Sequence, residues 1–221
     1  FWAVISDGKI ASSTNKGENW IIKNNGFKDS SIAVTSLAFS NNNIYVGTYQ
    51  NGVFFSSDEG ESWIKKNTGI EKEFITSIII NEKHLYVGTL DKGIFISEDN
   101  GNTWTNKSNG LPSEAIIALQ KQGNHIYASV LNYGIFLSND EGNKWYPKNN
   151  GIGDSSKINI ITFLSVNNDL YIGTSGAGLF KSTDSGNSWK NVGLNNYYVI
   201  ALASDNQYIY AGTMNNGLFK A

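Results

Sequence analysis

Aspartate recurs in this 221-residue chain at a near-constant interval. Asp58, Asp99, Asp140 and Asp184 each stand third in an octet Ser-x-Asp-x-Gly-x-x-Trp. The octets open at Ser56, Ser97, Ser138 and Ser182, carry Gly60, Gly101, Gly142 and Gly186, and close on Trp63, Trp104, Trp145 and Trp189. A carboxylate so placed has three chemistries open to it: accepting backbone N–H bonds within its own turn, ligating calcium, or acting in catalysis. The neighbours favour the first. A short Asp side chain closes its own turn, Gly admits a backbone conformation that other residues resist, and Trp buries a large ring between sheets. The octet reads as a hairpin staple and its aspartates as structural. A fifth octet at 13–20 has Asn15 in the Asp position, and Asn can bond its own backbone in the same way.

Other candidates for chemistry are sparse. Asp29, Glu71, Glu73, Asp91, Glu114 and Asp154 fall in loops. Two of them facing each other would suit glycoside hydrolysis, but no spacing singles out a pair. His84 and His125 each precede a tyrosine by two residues, and two ligands, one beside Lys83, fall short of a metal site. The absence of cysteine excludes thiol nucleophiles, disulfides and zinc–thiolate centres. A net charge of −2 leaves no electrostatic footprint for nucleic acid or anionic lipid. Neither a cofactor nor a metal is expected.

A repeat must position these residues. Eleven residues before each octet stands an aromatic: Trp2, Tyr45, Tyr86, Tyr127 and Tyr171; Tyr210 begins a sixth copy. Octets start 41 to 44 residues apart, the period of a solenoid or a propeller. The unit beginning at Phe74 has apolar runs at 74–80, 85–90 and 94–97 separated by polar turns, then the octet and a fourth strand from Thr103. Four short strands without helical periodicity make one propeller blade. Six copies of the second and third strands and five of the first and fourth give 22 strands. The expected fold is therefore an all-β β-propeller of four-stranded antiparallel blades, six in number with incomplete first and last blades; the alternative is a fragment of a larger propeller. Residues 1–221 read as a single domain. An incomplete blade leaves a strand edge open to self-association. Gly47, Gly88, Gly173 and Gly212 recur inside the second strand and are expected to let sheets approach closely. No apolar run nears the eighteen or so residues of a membrane span, so membrane insertion is not expected.

The octets Ser56-Ser57-Asp58-Glu59-Gly60-Glu61-Ser62-Trp63 and Ser97-Glu98-Asp99-Asn100-Gly101-Asn102-Thr103-Trp104 resemble Asp-boxes, the bacterial-neuraminidase repeats of sialidases, sortilin-type receptors, xyloglucanases and photosystem II assembly factors. The resemblance covers essentially the whole chain and implies a propeller, while hydrolases, receptors and assembly factors all share that fold. Composition narrows the choice, because all 17 basic residues are lysine. Sialidases of this superfamily hold the substrate carboxylate with arginines, whose planar fork lysine does not reproduce. The same lack argues against the arginine-rich patch that assembly factors of this kind present to their client. Lysine in place of arginine, with abundant Asn and Ile, resembles the composition imposed by an AT-rich bacterial genome. The family resemblance also implies a location outside the cytoplasm.

All the length variation lies between each Trp and the next aromatic: 25, 23, 23, 26 and 21 residues. Insertions confined to one segment of a repeat mark the binding face. In this family's topology the segment shares that face with the loops joining strands two and three. The connections at 24–31, 67–73, 109–114, 149–157 and 193–198 and the shorter loops set neutral amides beside Tyr49, Tyr133, Tyr197 and Tyr198, a mixture suited to sugars or peptides. The expected function is a non-catalytic recognition or scaffold module for a protein or polysaccharide partner. The alternatives are a glycan-cleaving hydrolase with paired carboxylates and a structural repeat protein assembling through open blade edges.

Overall fold

Short runs of β-branched and aromatic residues, each ended by Gly, Asn or Asp, pair with their immediate neighbours along the chain. A computed structural model describes residues 1–5, 8–27, 32–82, 84–156, 158–205 and 207–220. The first sheet holds β1 (Trp2–Val4), β2 (Ile10–Ser12) and β3 (Ile21–Ile22). The second holds β4 (Val34–Ser40), β5 (Asn43–Thr48), β6 (Val53–Ser56) and β7 (Ile64–Lys65), and the third β8 (Ile75–Asn81), β9 (His84–Thr89), β10 (Ile94–Ser97) and β11 (Thr105–Asn106). The fourth comprises β12 (Ile116–Gln122), β13 (His125–Val130), β14 (Gly134–Ser138) and β15 (Tyr146–Pro147). The fifth comprises β16 (Ile160–Val166), β17 (Asp169–Thr174), β18 (Leu179–Ser182) and β19 (Lys190–Gly193), and the sixth β20 (Val199–Ser204), β21 (Ile209–Thr213) and β22 (Gly217–Lys220). Every sheet is antiparallel in chain order, and the fold is an all-β propeller of six blades, as the repeat predicts. The sequence reads as one domain; the structure groups the blades into two compact units, Phe1–Asn106 and Lys107–Ala221.

Within each unit the core lies between successive sheets. Ile10, Val34, Val46, Phe54 and Trp63 form one layer of the first unit, and Tyr45, Val53, Ile75, Val87 and Trp104 the next. Tyr127, Ile135, Ile160, Ile172 and Trp189 belong to the corresponding core of the second. Gly47 and Gly173 permit this approach. A Cβ on Gly47 would stand 2.4 Å from Ile75 Cγ2, and one on Gly173 2.6 Å from the Val199 carbonyl oxygen.

Within the octets the serine and the aspartate, or Asn15 in its place, bond to their own turn. Ser56 Oγ donates to Asp58 Oδ1 (2.7 Å) and accepts from the Gly60 N–H (2.8 Å), while Asp58 accepts from the backbone N–H (3.0 Å) and hydroxyl (2.5 Å) of Ser62. Asp99 and Asp184 repeat the pattern with Thr103 and Ser188. Asn15 likewise accepts from Ser13 Oγ and the Asn19 N–H, both at 2.9 Å. One feature escapes the sequence pattern: the residue before the octet glycine, Glu59, Asn100, Glu141 or Ser185, is also left-handed, with φ of 56° to 60°.

Trp63, Trp104, Trp145 and Trp189 then reach beyond their own turns. Each indole N–H donates to the carbonyl of a lysine 38 to 41 residues earlier, Lys23, Lys66, Lys107 or Lys148, at 2.7–2.9 Å. The same lysines send their ammonium groups back to the sixth octet residue, as an ion pair at Glu61 and as hydrogen bonds at Asn102, Asn143 and Asn187. Trp20 bonds instead to Gly17 of its own octet and is 45% exposed.

Trp145, 2% exposed, is the extreme case. Trp145→Ala should cost about 3–5 kcal/mol and Trp20→Ala much less, an order that denaturant unfolding of the two variants checks. The hydroxyls of Ser62, Thr103 and Ser188 are the main cause holding the carboxyls of Asp58, Asp99 and Asp184 at about 2, below the ordinary 3.8. At Asp140 burial works against the shift, and bonds from the Lys144 N–H and Ser138 still lower it. A depressed carboxyl stabilises the fold above its ordinary value and loses that contribution as the pH falls through the folded value. The triple variant Asp58→Asn, Asp99→Asn, Asp184→Asn, which copies Asn15, should therefore fold at neutral pH and show a flatter loss of stability between about pH 4 and about pH 2, read from urea midpoints.

Candidate functional site

Three loops of the first unit converge because their turns are closed from within. The β5–β6 turn is pinned by Thr48, whose N–H (3.0 Å) and hydroxyl (2.7 Å) both donate to the Gly52 carbonyl. Thr89 and Gly93 repeat this at the β9–β10 turn. The connection between the two blades makes successive turns, Ile70 N–H to Asn67 O and Glu73 N–H to Ile70 O, over a fully buried Ile70. Gly52 N–H donates to Glu73 O and Leu90 N–H to Phe74 O, so the connection is tied to both hairpins. Tyr49, Gln50, Lys72, Glu73, Phe74, Leu90, Asp91 and Lys92 line the resulting cavity of about 190 Å³. The Tyr49 ring stands edge-to-face on Phe74 with centroids 4.7 Å apart and remains 47% exposed.

The electrostatics of this cavity are balanced in sign but not relaxed. Burial raises the Glu73 carboxyl, and repulsion from Asp91 and a side-chain hydrogen bond with it raise it further; Lys92 acts in the opposite direction. Glu71, one turn away, is lowered by its own N–H and that of Gly69. Two lysines match two carboxylates around one aromatic shelf. The arrangement offers donors, acceptors and an apolar ring to a ligand.

The other predicted positions lie elsewhere. Tyr133 is exposed at the β13–β14 turn, its carbonyl accepting from Asn149 Nδ2 at 2.8 Å. Tyr197 turns onto Phe219, with centroids 5.2 Å apart. Tyr198 is exposed, pairs with Ser175 through a backbone bridge, and lies over Gly176. Tyr49 belongs to the first compact unit and these three residues to the second. Asp154 caps its own turn through the Ser156 N–H and hydroxyl. His125 packs edge-on to Tyr127. Asp29 and Lys83 are outside the described residues. No group of three His, Asp or Glu residues suited to a metal occurs among the described residues.

Sequence reasoning named Tyr49, Glu73 and Asp91 separately and missed their meeting, along with the part played by Phe74. A signal was available. Taking the fourth residue after one repeat aromatic with the twelfth before the next, only Tyr49 and Phe74 are aromatic at both places.

Comparison with known proteins agrees with the architecture. Residues 1–134, more than half of the chain, match the profile of the DUF6242 beta propeller domain. No relative was found among curated proteins. Among solved structures the chain is similar to YCF48 bound to D1 peptide, with 14% identity and a TM-score of 0.75 over 99% of this chain and 74% of that one. It is also similar to the GH74 xyloglucanase from Xanthomonas campestris, with 15% identity and a TM-score of 0.75 over 100% of this chain and 41% of that one. A third likeness, with 20% identity and a TM-score of 0.77, is to the extracellular domain of a protein described as a hybrid two-component system from B. thetaiotaomicron, where 100% of this chain covers 31% of the other. The chain thus spans less than half the length of the latter two, and at such identities the likeness concerns the fold alone. With the profile matched over more than half its length, the chain belongs to the DUF6242 beta propeller domain family.

Proposed function

We propose that this propeller is a non-catalytic recognition module that binds a protein or glycan through its loop face, with the cavity beneath Tyr49 as its contact point. The observation carrying the reading is the exposed Tyr49 ring, locked edge-to-face on Phe74 where three loops meet. A large, rigid ring with few rotatable bonds gives contact area at low entropic cost, which is why tyrosine is enriched at recognition surfaces. The solved relatives support both ligand classes, one holding a peptide and another being a xyloglucanase. Against sialidase cleavage stands the absence of arginine, and no carboxylate pair is singled out by spacing for other glycoside hydrolysis. Reading the octets as Asp-boxes belongs to the same proposal. Their aspartates are occupied by their own turns, which leaves recognition to the opposite kind of loop. A location outside the cytoplasm completes the proposal, in keeping with the extracellular domain among the similar structures.

Glycan and peptide arrays probed with the purified chain, with product analysis of every hit, test this reading. Tyr49→Ala should weaken the binding found by about tenfold or more, equivalent to about 1.4 kcal/mol. Release of cleaved product would overturn the non-catalytic reading, and failure to bind either class would overturn recognition.

A further inference from the structure

We infer that the Tyr49 cavity seats a single residue of an uncharged saccharide chain. This deepens the recognition reading and rests on it. The size of the cavity sets the first limit. At about 190 Å³ it is smaller than the roughly 300–1,000 Å³ of pockets that enclose drug-sized ligands, leaving room for one ring and not for a folded element.

Chemistry sets the second limit. The Tyr49 face, buttressed by Phe74 and flanked by exposed Leu90, offers an apolar shelf of the kind that the C–H face of a pyranose covers. Around it stand groups of both hydrogen-bonding senses. Lys72 and Lys92 donate only, ionised Asp91 accepts only, and Gln50 does both. Glu73 can donate when protonated and accept when ionised. Sugar hydroxyls likewise donate and accept, so each of these groups can find a partner.

A charged ligand is matched less well. A cationic side chain would meet Lys72 and Lys92, and an anionic one would meet Glu73 and Asp91, leaving like charges together in either case. A hydroxyl adds no charge of either sign, and it can accept from a lysine or donate to a carboxylate of the lining.

Calorimetric titration with neutral β-linked gluco- and manno-oligosaccharides decides the matter, using the folded chain and variants whose thermal unfolding has been checked. Tyr49→Ala and Glu73→Gln should each weaken binding about tenfold or more, Tyr49→Phe should retain it within about threefold, and Tyr146→Ala, on the outer strand β15, should leave it unchanged. Saccharide binding that survives Tyr49→Ala, or that is abolished by Tyr133→Ala alone, would place the sugar elsewhere and overturn the inference. A peptide that binds where no saccharide does would also overturn it while leaving the recognition reading intact. Absence of any ligand from either class would remove both.

Discussion

In four of the five octets an indole N–H leaves its own turn and donates to a lysine carbonyl about forty residues back. Much of the surrounding order depends on that bond. The ring can reach the carbonyl only if the octet is wound tightly, which requires the Ser–Asp–Gly hydrogen bonds and two consecutive left-handed residues. It can stay there only if the sheets are close enough to bury it, an approach that Gly47 and Gly173 ease in their own second strands. A lone buried polar group is costly and a bonded one is not, so the Trp N–H favours one spacing between neighbouring layers over others. The lysine ammonium, folding back on the octet, closes the same contact from outside. With its octet partner facing solvent, this contact adds specificity more than energy.

This division of labour explains why the repeat is rigid in one segment and free in another. From the aromatic to the octet Trp every spacing is fixed, since the second and third strands pair across a turn of constant length and the octet closes its own staple. From the Trp onward the chain has to return to the next blade, and only a few contacts hold it. Gly69 and Gly151 are among them, with φ of 99° and 90°, and a Cβ there would strike the carbonyl oxygen of the following Trp. Beyond that anchor the connection is free to vary in length and composition, and Lys72, Glu73 and Phe74 of the Tyr49 cavity come from such a stretch.

The same contrast accounts for what was legible in the sequence. Strands 75–81, 84–89 and 94–97 fall within a residue or two of the pattern read from 74–80, 85–90 and 94–97, since alternation and turn residues act locally and five further copies average out exceptions. Asp58 and its counterparts were legible for the same reason. The bulge that shifts register between Ile75 and Ser77, and at the equivalent place in four other blades, was not, because nothing in the local residue types demands it. Nor was the Glu73–Asp91 contact. The two residues lie two positions beyond the Ile75–Thr89 pair, so their proximity follows from the β8–β9 register, which local residue types do not set. The lysine three residues after Trp20, Trp63, Trp104 and Trp145 was in plain view, yet its double role emerges only when the next octet is placed beside it.

The carboxyl shifts separate structural acids from those available for another use. Asp58, Asp99, Asp140, Asp184 and Asp205 are all lowered, each satisfied by hydroxyl or N–H donors within a few residues. Such acids are tied into their own turns and stabilise the fold at neutral pH. Glu73 moves the other way. Burial and a like charge disfavour its ionised form, so relative to the unfolded chain it detracts from stability as the pH rises through its elevated value. Folding alone does not call for that penalty, since Gln at position 73 would keep the shape without the repulsion.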